Sequence, residues 1–270
     1  MRFRRRVTWL VLASCALLAG PFEEARSAPK EVDGVTLIDQ KGALAGSVTP
    51  GDAPGFPVEI RQPGSYRLAS DLTVTDPTKH GILILAGPVT LDLNGFTIKG
   101  AGPGSCILPD ENCGWGIRSD NFPTVIMNGT VRDFWGHGIV MTGSLGRIER
   151  VQVVANGLVG IETGRGTIIS GCSINNNAYG GIFAGDRGII TGNVVAENGQ
   201  VGIHIWLPQS DGATVTDNTI TANRGYGIEG DHNGWGGYAR NVLNRNNNSG
   251  AQVRGGVQMG GNVCGGVLCP

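Results

Sequence analysis

The hydrophobic positions of this chain recur in short bursts rather than in long helical stripes. Gly-Ile pairs stand at Gly116, Gly138, Gly160, Gly181, Gly202 and Gly227, and a Gly-Ala pair at Gly250; the intervals are 22, 22, 21, 21, 25 and 23 residues. A period in the low twenties marks a stacked repeat. One residue after the Gly come Ile117, Ile139, Ile161, Ile182, Ile203, Ile228 and Ala251. Seven residues before it come Val131, Val153, Ile174, Val195, Ile220 and Leu243, and twelve before it Ile126, Ile148, Ile169, Ile190, Val215 and Tyr238. Each repeat therefore offers three short strands rich in β-branched residues. Gly, Asn and Asp separate them, and no repeat carries a long helical period.

A single three-stranded coil buries nothing by itself. Stacked coils do, because each strand pairs with its equivalent ~4.8 Å above and below. The pattern predicts an all-β solenoid, a parallel β-helix of three short strands per coil, with the Ile and Val columns inside. Polar columns repeat too: Asn156, Asn177, Asn198, Asn223 and Asn246 stand four before the Gly, and Asn193, Asn218 and Asn241 nine before it. These read as corners, where Asn tolerates left-handed backbone and its amide can bond along the axis. Cys172 falls in the Asn193 column. "HGILI" and "GPVTLDLNGFTIKG" extend the helix upstream less regularly. The expected organisation is a tether over residues 28–52 and one domain over 53–270, with an N-terminal cap (53–80), coils (81–255) and a C-terminal cap (256–270).

Composition narrows the setting. Gly numbers 46 of 270 residues and charged residues are 16%, which excludes coiled coils and most bundles. "MRFRRR" followed by "VTWLVLASCALLAG" reads as an export signal over residues 1–27. Its apolar run is too short for a membrane span. "LASC" also resembles a lipobox, which would make Cys15 a lipidated terminus. The mature chain is expected to be secreted, periplasmic or at the cell surface, and monomeric. Its charge is about −4 with no basic run, so nucleic acid is not an expected partner. Disulfides Cys106–Cys113 and Cys264–Cys269 suit an oxidising compartment.

"QPGSYRLASDLTV", "VTLDLNGFTIKG", "GTVRDFWGHGI", the Asn/Gly-Ile coils and "NVCGGVLC" resemble the secreted bacterial proteins with right-handed parallel β-helix repeats, within the pectate-lyase-like superfamily. The resemblance spans roughly residues 54 to 269. It implies right-handed coils and a polysaccharide or other glycan as partner. Such family members include lyases, hydrolases, epimerases and binding modules, so it assigns no activity.

The resemblance also implies that chemistry sits on the outer face of one strand ladder. Alternation puts residues two and four after each Gly on that face. The lower coils then gather Phe183, His204, Trp206, Glu229, Asp231 and Arg254, with Tyr226, His232 and Asn233 nearby and Glu162 higher up. Trp206, Tyr226 and Phe183 suit the apolar face of a sugar ring. Hydrolysis would use two carboxyls roughly 5–10 Å apart, Glu229 with Asp231 or Glu162. A lyase or epimerase would use His204, His232 or Tyr226 as base, with Arg254, or calcium held by Glu229 and Asp231, to neutralise a uronate. No other cofactor is called for. Glu229, Asp231 and His204 are the catalytic candidates; Trp206, Tyr226, His232, Asn233, Arg254, Phe183 and Glu162 are candidates for substrate contact. "GHG" at 136–138 resembles a polygalacturonase motif but lacks that family's Asp-Asp and Arg-x-Lys, so His137 is expected to be a corner residue. "YGIEGDHNG" resembles an alginate-epimerase site but lacks its Pro-His-Asp order.

Overall fold

The computed structural model describes residues 30–102, 104, 113–120, 123–206, 211–230 and 236–269. They form a parallel β-solenoid. One nine-stranded sheet stacks Val58–Ile60, Ile82–Ile84, Ile117–Ser119, Ile139–Met141, Ile161–Thr163, Ile182–Ala184, Ile203–Ile205, Ile228–Gly230 and Val253–Arg254. This is the Gly-Ile face. The other two strands of each coil join a second, 19-stranded sheet that wraps the remaining faces. The expected columns are in register: Ile139 opposite Ile161, Ile169 opposite Ile190, Val195 opposite Ile220. Their side chains are fully buried. The described pairings are parallel except for a hairpin at each end, Glu31–Val32 with Val35–Ile38 and Val263–Cys264 with Val267–Leu268.

The Asn columns also run unbroken, but as interior ladders rather than as strained corners. None of the ladder asparagines has positive φ; the residues just before them do, at Ala155, Asn176, Glu197, Ala222 and Arg245, and at Gly171, Gly192, Asp217 and Arg240. The left-handed residue turns the chain, and the Asn after it points inward. Asn198 is typical. Its Oδ1 accepts from the backbone N–H (3.1 Å) and the Nδ2 (3.0 Å) of Asn177 above. Its own Nδ2 donates to Ile174 O and to Asn223 Oδ1 below. A buried corner thereby leaves few backbone groups unpaired. Cys172 heads the second ladder, its backbone N–H donating to Asn193 Oδ1 (2.9 Å). Its thiol is free and buried, and burial pushes it up to about 11.

The repeat glycines are needed for close approach. A Cβ on Gly181 would lie 2.5 Å from both Gly202 O and Val195 Cγ1, and one on Gly138 2.4 Å from Val153 Cγ1. There the interior is too narrow for any side chain.

Two expectations of organisation change. Residues 30–52 do not behave as a tether. Val35–Ile38 pairs with Gly64–Leu68, and a helix over Gln40–Ala45 follows, capped by the Asp39 carboxylate and by left-handed Gly46. Ile38, Ala43, Val48 and Asp52 are buried beneath it, so this segment closes the top of the core. The last coil also slips in register. Val253, not Ala251, stacks on Ile228, and Arg254 lies opposite Glu229. The turn over Asn247–Ser249 uses three consecutive positive-φ residues and delays the strand. Gln252 instead turns inward and ends the first ladder, accepting from Asn246 N and Nδ2.

Cys264 and Cys269 are bonded as expected. Cys113 is disulfide-bonded and buried, while Cys106 lies outside the described residues. Residues 1–27, with Cys15, also lie outside them. Among the described residues no helix is long and apolar enough to cross a membrane.

Asn198→Leu should strand the Asn177 donors and the Ile174 carbonyl. At ~1–3 kcal/mol per buried unpaired group, urea unfolding should show a loss of at least ~3 kcal/mol. A loss under ~1 kcal/mol would contradict the ladder's role.

Candidate functional site

Every second residue of a strand faces outward, so the Gly-Ile sheet carries one continuous outer column. Strand register orders it Glu59, Leu83, Arg118, Val140, Glu162, Phe183, His204, Glu229, Arg254. Its two halves differ. In the upper half Val140, though outward, is only 3% exposed. In the lower half the face opens into a groove of about 460 Å³.

Phe183, His204 and Glu229 make the groove floor, with Tyr179, Gln200, Arg224, Tyr226 and Asn247 around it. The Phe183 ring lies 4.9 Å from the His204 imidazole and 5.7 Å from Tyr179, centre to centre. At the lower edge Arg254 Nη1 pairs with Glu229 Oε1 at 2.8 Å, and its guanidinium stands 5.9 Å from the Tyr226 ring. Aromatic faces therefore alternate with an imidazole, a carboxylate and guanidinium groups along one open channel.

Of the expected site residues, the groove gathers Phe183, His204, Tyr226 and Glu229, with Arg254 at its edge. Trp206 lies at the end of its strand, 37% exposed, and does not line the groove. Glu162 shares the outer column but stands three strands from Glu229, roughly 14 Å along the axis. That exceeds the reach of a glycosidase carboxyl pair, so the expected Glu229–Glu162 pairing is withdrawn. Asp231, His232 and Asn233 lie outside the described residues, and with them the calcium site expected at Glu229 and Asp231. Among the described residues no group of three or more His, Cys, Asp or Glu is arranged to hold a metal. Tyr179, Gln200, Arg224 and Asn247 were missed by strand periodicity because they sit in turns. Reading the turns as columns would have found two of them, since Arg224 and Asn247 each follow a ladder asparagine.

A second cluster occupies the upper half. The residues just before successive glycines stack here: His80 on Trp115 at 5.3 Å, and Trp115 on His137 at 5.3 Å. Arg118 lies over the Trp115 ring and is held by Asp120. His137 Nδ1 is 3.3 Å from Glu162 Oε2, and among the described residues it makes no hydrogen bond. Burial pulls the His137 imidazole down to about 4 and pushes the Glu162 carboxyl up. His137 is thus a largely covered, neutral ring against an acid, which its position as a corner residue did not foretell.

Residues 115–262 match the family model of the right-handed beta helix region. The chain belongs to the right-handed beta-helix family. No curated protein matches it. Among solved structures, a crystal structure of a mutant periplasmic alginate epimerase is similar at 14% identity and a TM-score of 0.39, over 78% of this chain and 64% of that one. The chain thus spans less than two thirds of that epimerase chain, and the likeness bears on no residue of the groove.

The buried imidazole has a consequence for stability. The unfolded chain takes up the His137 proton near the ordinary 6.5 and the native one only near 4, so acid favours unfolding. Stability should fall as pH drops from about 6.5 to about 4, by up to ~3 kcal/mol. Glu162 acts in the opposite sense, its contribution being lost as pH rises through its raised value. Denaturant titrations of His137→Gln across this window should show a shallower acid limb than the parent; an identical limb would refute the assignment.

Proposed function

We propose that this exported right-handed β-helix binds an extracellular or envelope polysaccharide in the groove of its Gly-Ile face. The observation that carries the reading is the groove itself. Phe183, Tyr179 and Tyr226 offer ring faces to the apolar side of sugars. His204, Glu229, Arg224 and Asn247 offer donors and acceptors for hydroxyls, and the channel follows the stacking axis, which suits a linear chain. Export to the periplasm, cell surface or medium is supported by the signal-like N-terminus and by disulfide-bonded cysteines.

Binding is favoured over hydrolysis by one observation. Within the described residues, the groove has a single carboxylate, Glu229, and that group is engaged by Arg254. Hydrolysis needs an acid and a second carboxyl on either side of the scissile bond.

A glycan array followed by calorimetry on its hits tests this. Phe183→Ala or Tyr226→Ala should weaken binding by at least about tenfold, ~1.4 kcal/mol. Loss of no affinity in Glu229→Ala combined with His204→Ala would exclude the groove. A blank array would favour a structural or surface-interaction module, and release of reducing ends or unsaturated uronate would restore the hydrolase or lyase reading.

A further inference from the structure

Two carboxylates of the outer column, Glu162 and Glu229, stand in contrasting surroundings. Glu229 has an arginine at 2.8 Å. Glu162 has no Lys or Arg within ion-pair distance among the described residues; its one titratable contact is His137. The groups facing it come from both neighbouring strands and their turns. Ile139–Met141 presents Val140, and the turn before it presents His137, backed by Trp115. Ile182–Ala184 presents Phe183. Arg118, tied to Asp120, and His204 lie two strands away on either side.

Glu162 therefore stands one strand above Phe183, just beyond the upper edge of the groove and outside its lining, beside an imidazole nitrogen that has no hydrogen bond among the described residues. A carboxylate there would lack the cation that accompanies Glu229. A carboxylic acid would suit the site, since it has a proton to donate and less charge to desolvate. We propose that Glu162, seated against His137, meets the ligand as a protonated acid that donates a hydrogen bond to a sugar oxygen, so that glycan capture weakens as pH rises. This rests on the groove reading above and adds a recognition group to it. The upward displacement of the Glu162 carboxyl and the downward one of His137 by burial accord with that geometry. Two solvated groups at this separation would form an ordinary ion pair with the opposite preferences.

The test has two arms on the whole protein. Carbon-13 NMR of glutamate carboxyls, in the parent and in Glu162→Gln, should show one midpoint above the ordinary glutamate range that disappears in the variant. An ordinary midpoint for Glu162 overturns the proposal whatever the glycan result. Calorimetry with cellohexaose and with a hexa-uronate, from acidic to mildly alkaline pH, forms the second arm. The parent should lose about tenfold in affinity as pH passes the Glu162 midpoint. Glu162→Gln, whose amide keeps a donor and does not titrate, should stay level through that window. An equal pH dependence in both proteins overturns the donor role and points to His204. Binding of neither probe at any pH overturns the groove reading and the donor role with it, whereas retained binding with an ordinary Glu162 titration overturns the donor role alone.

Discussion

Direct superposition of each coil on the next is the constraint on which the whole molecule depends. Two devices enforce it. The interior amides of Asn156, Asn177, Asn198 and Asn223 each bridge to the Asn of the coil below, ending at Asn246, so a coil shifted by one residue would lose both a side-chain and a backbone bond. The repeat glycines remove the one Cβ that would hold the next coil away. Burial of the Ile and Val columns supplies the driving force and opposes a one-residue slip, which would turn every inward side chain outward, but it tolerates a slip of two. The amides and glycines are what select a single register.

That register decides the surface as firmly as the core. Once Ile161, Ile182, Ile203 and Ile228 stack inward, Glu162, Phe183, His204 and Glu229 must line up outward at one strand spacing. The outer column is otherwise free of packing demands. In the upper coils it is used to build a closed patch around Trp115, and in the lower coils it is left open between Tyr179 and Tyr226. A scaffold with one rigid periodicity thus carries two chemically distinct regions on a single face.

The strands, their columns and the inward Ile residues were legible in the sequence because a period of two within strands and about twenty-two between coils leaves little choice of face. The ladder asparagines were found for only half the right reason. Their mutual bonding was readable, but the left-handed angle belongs to the residue before each, and Ala155 or Glu197 gives no compositional hint of it. The slipped last coil escaped because Gly250-Ala251 imitates the repeat, while the three positive-φ residues before it consume extra chain. Residues 30–52 looked like a linker by composition, and only the short "VTLI" run marked the strand that Asp39 and its helix follow. In the site, strand alternation found the floor. It could not find Tyr179, Gln200, Arg224 or Asn247, whose positions depend on turn geometry. His137 was masked by its resemblance to a repeat corner, since burial is a property of neighbours twenty residues away.

Gln252 also has a meaning for growth of the structure. Each ladder asparagine hands its side-chain nitrogen to the oxygen of the coil beneath, an open-ended pattern that any equivalent coil could prolong. Gln252 receives the last such pair with its oxygen, but its nitrogen folds back onto the carbonyls of Asn246 and Gly250 within the same turn. The chain of amides is thereby closed upon itself, and a further molecule arriving at this end finds no dangling donor in that line to template on. One extra methylene thus ends the first ladder at Gln252, while the second runs on to Asn262 beside the closing hairpin.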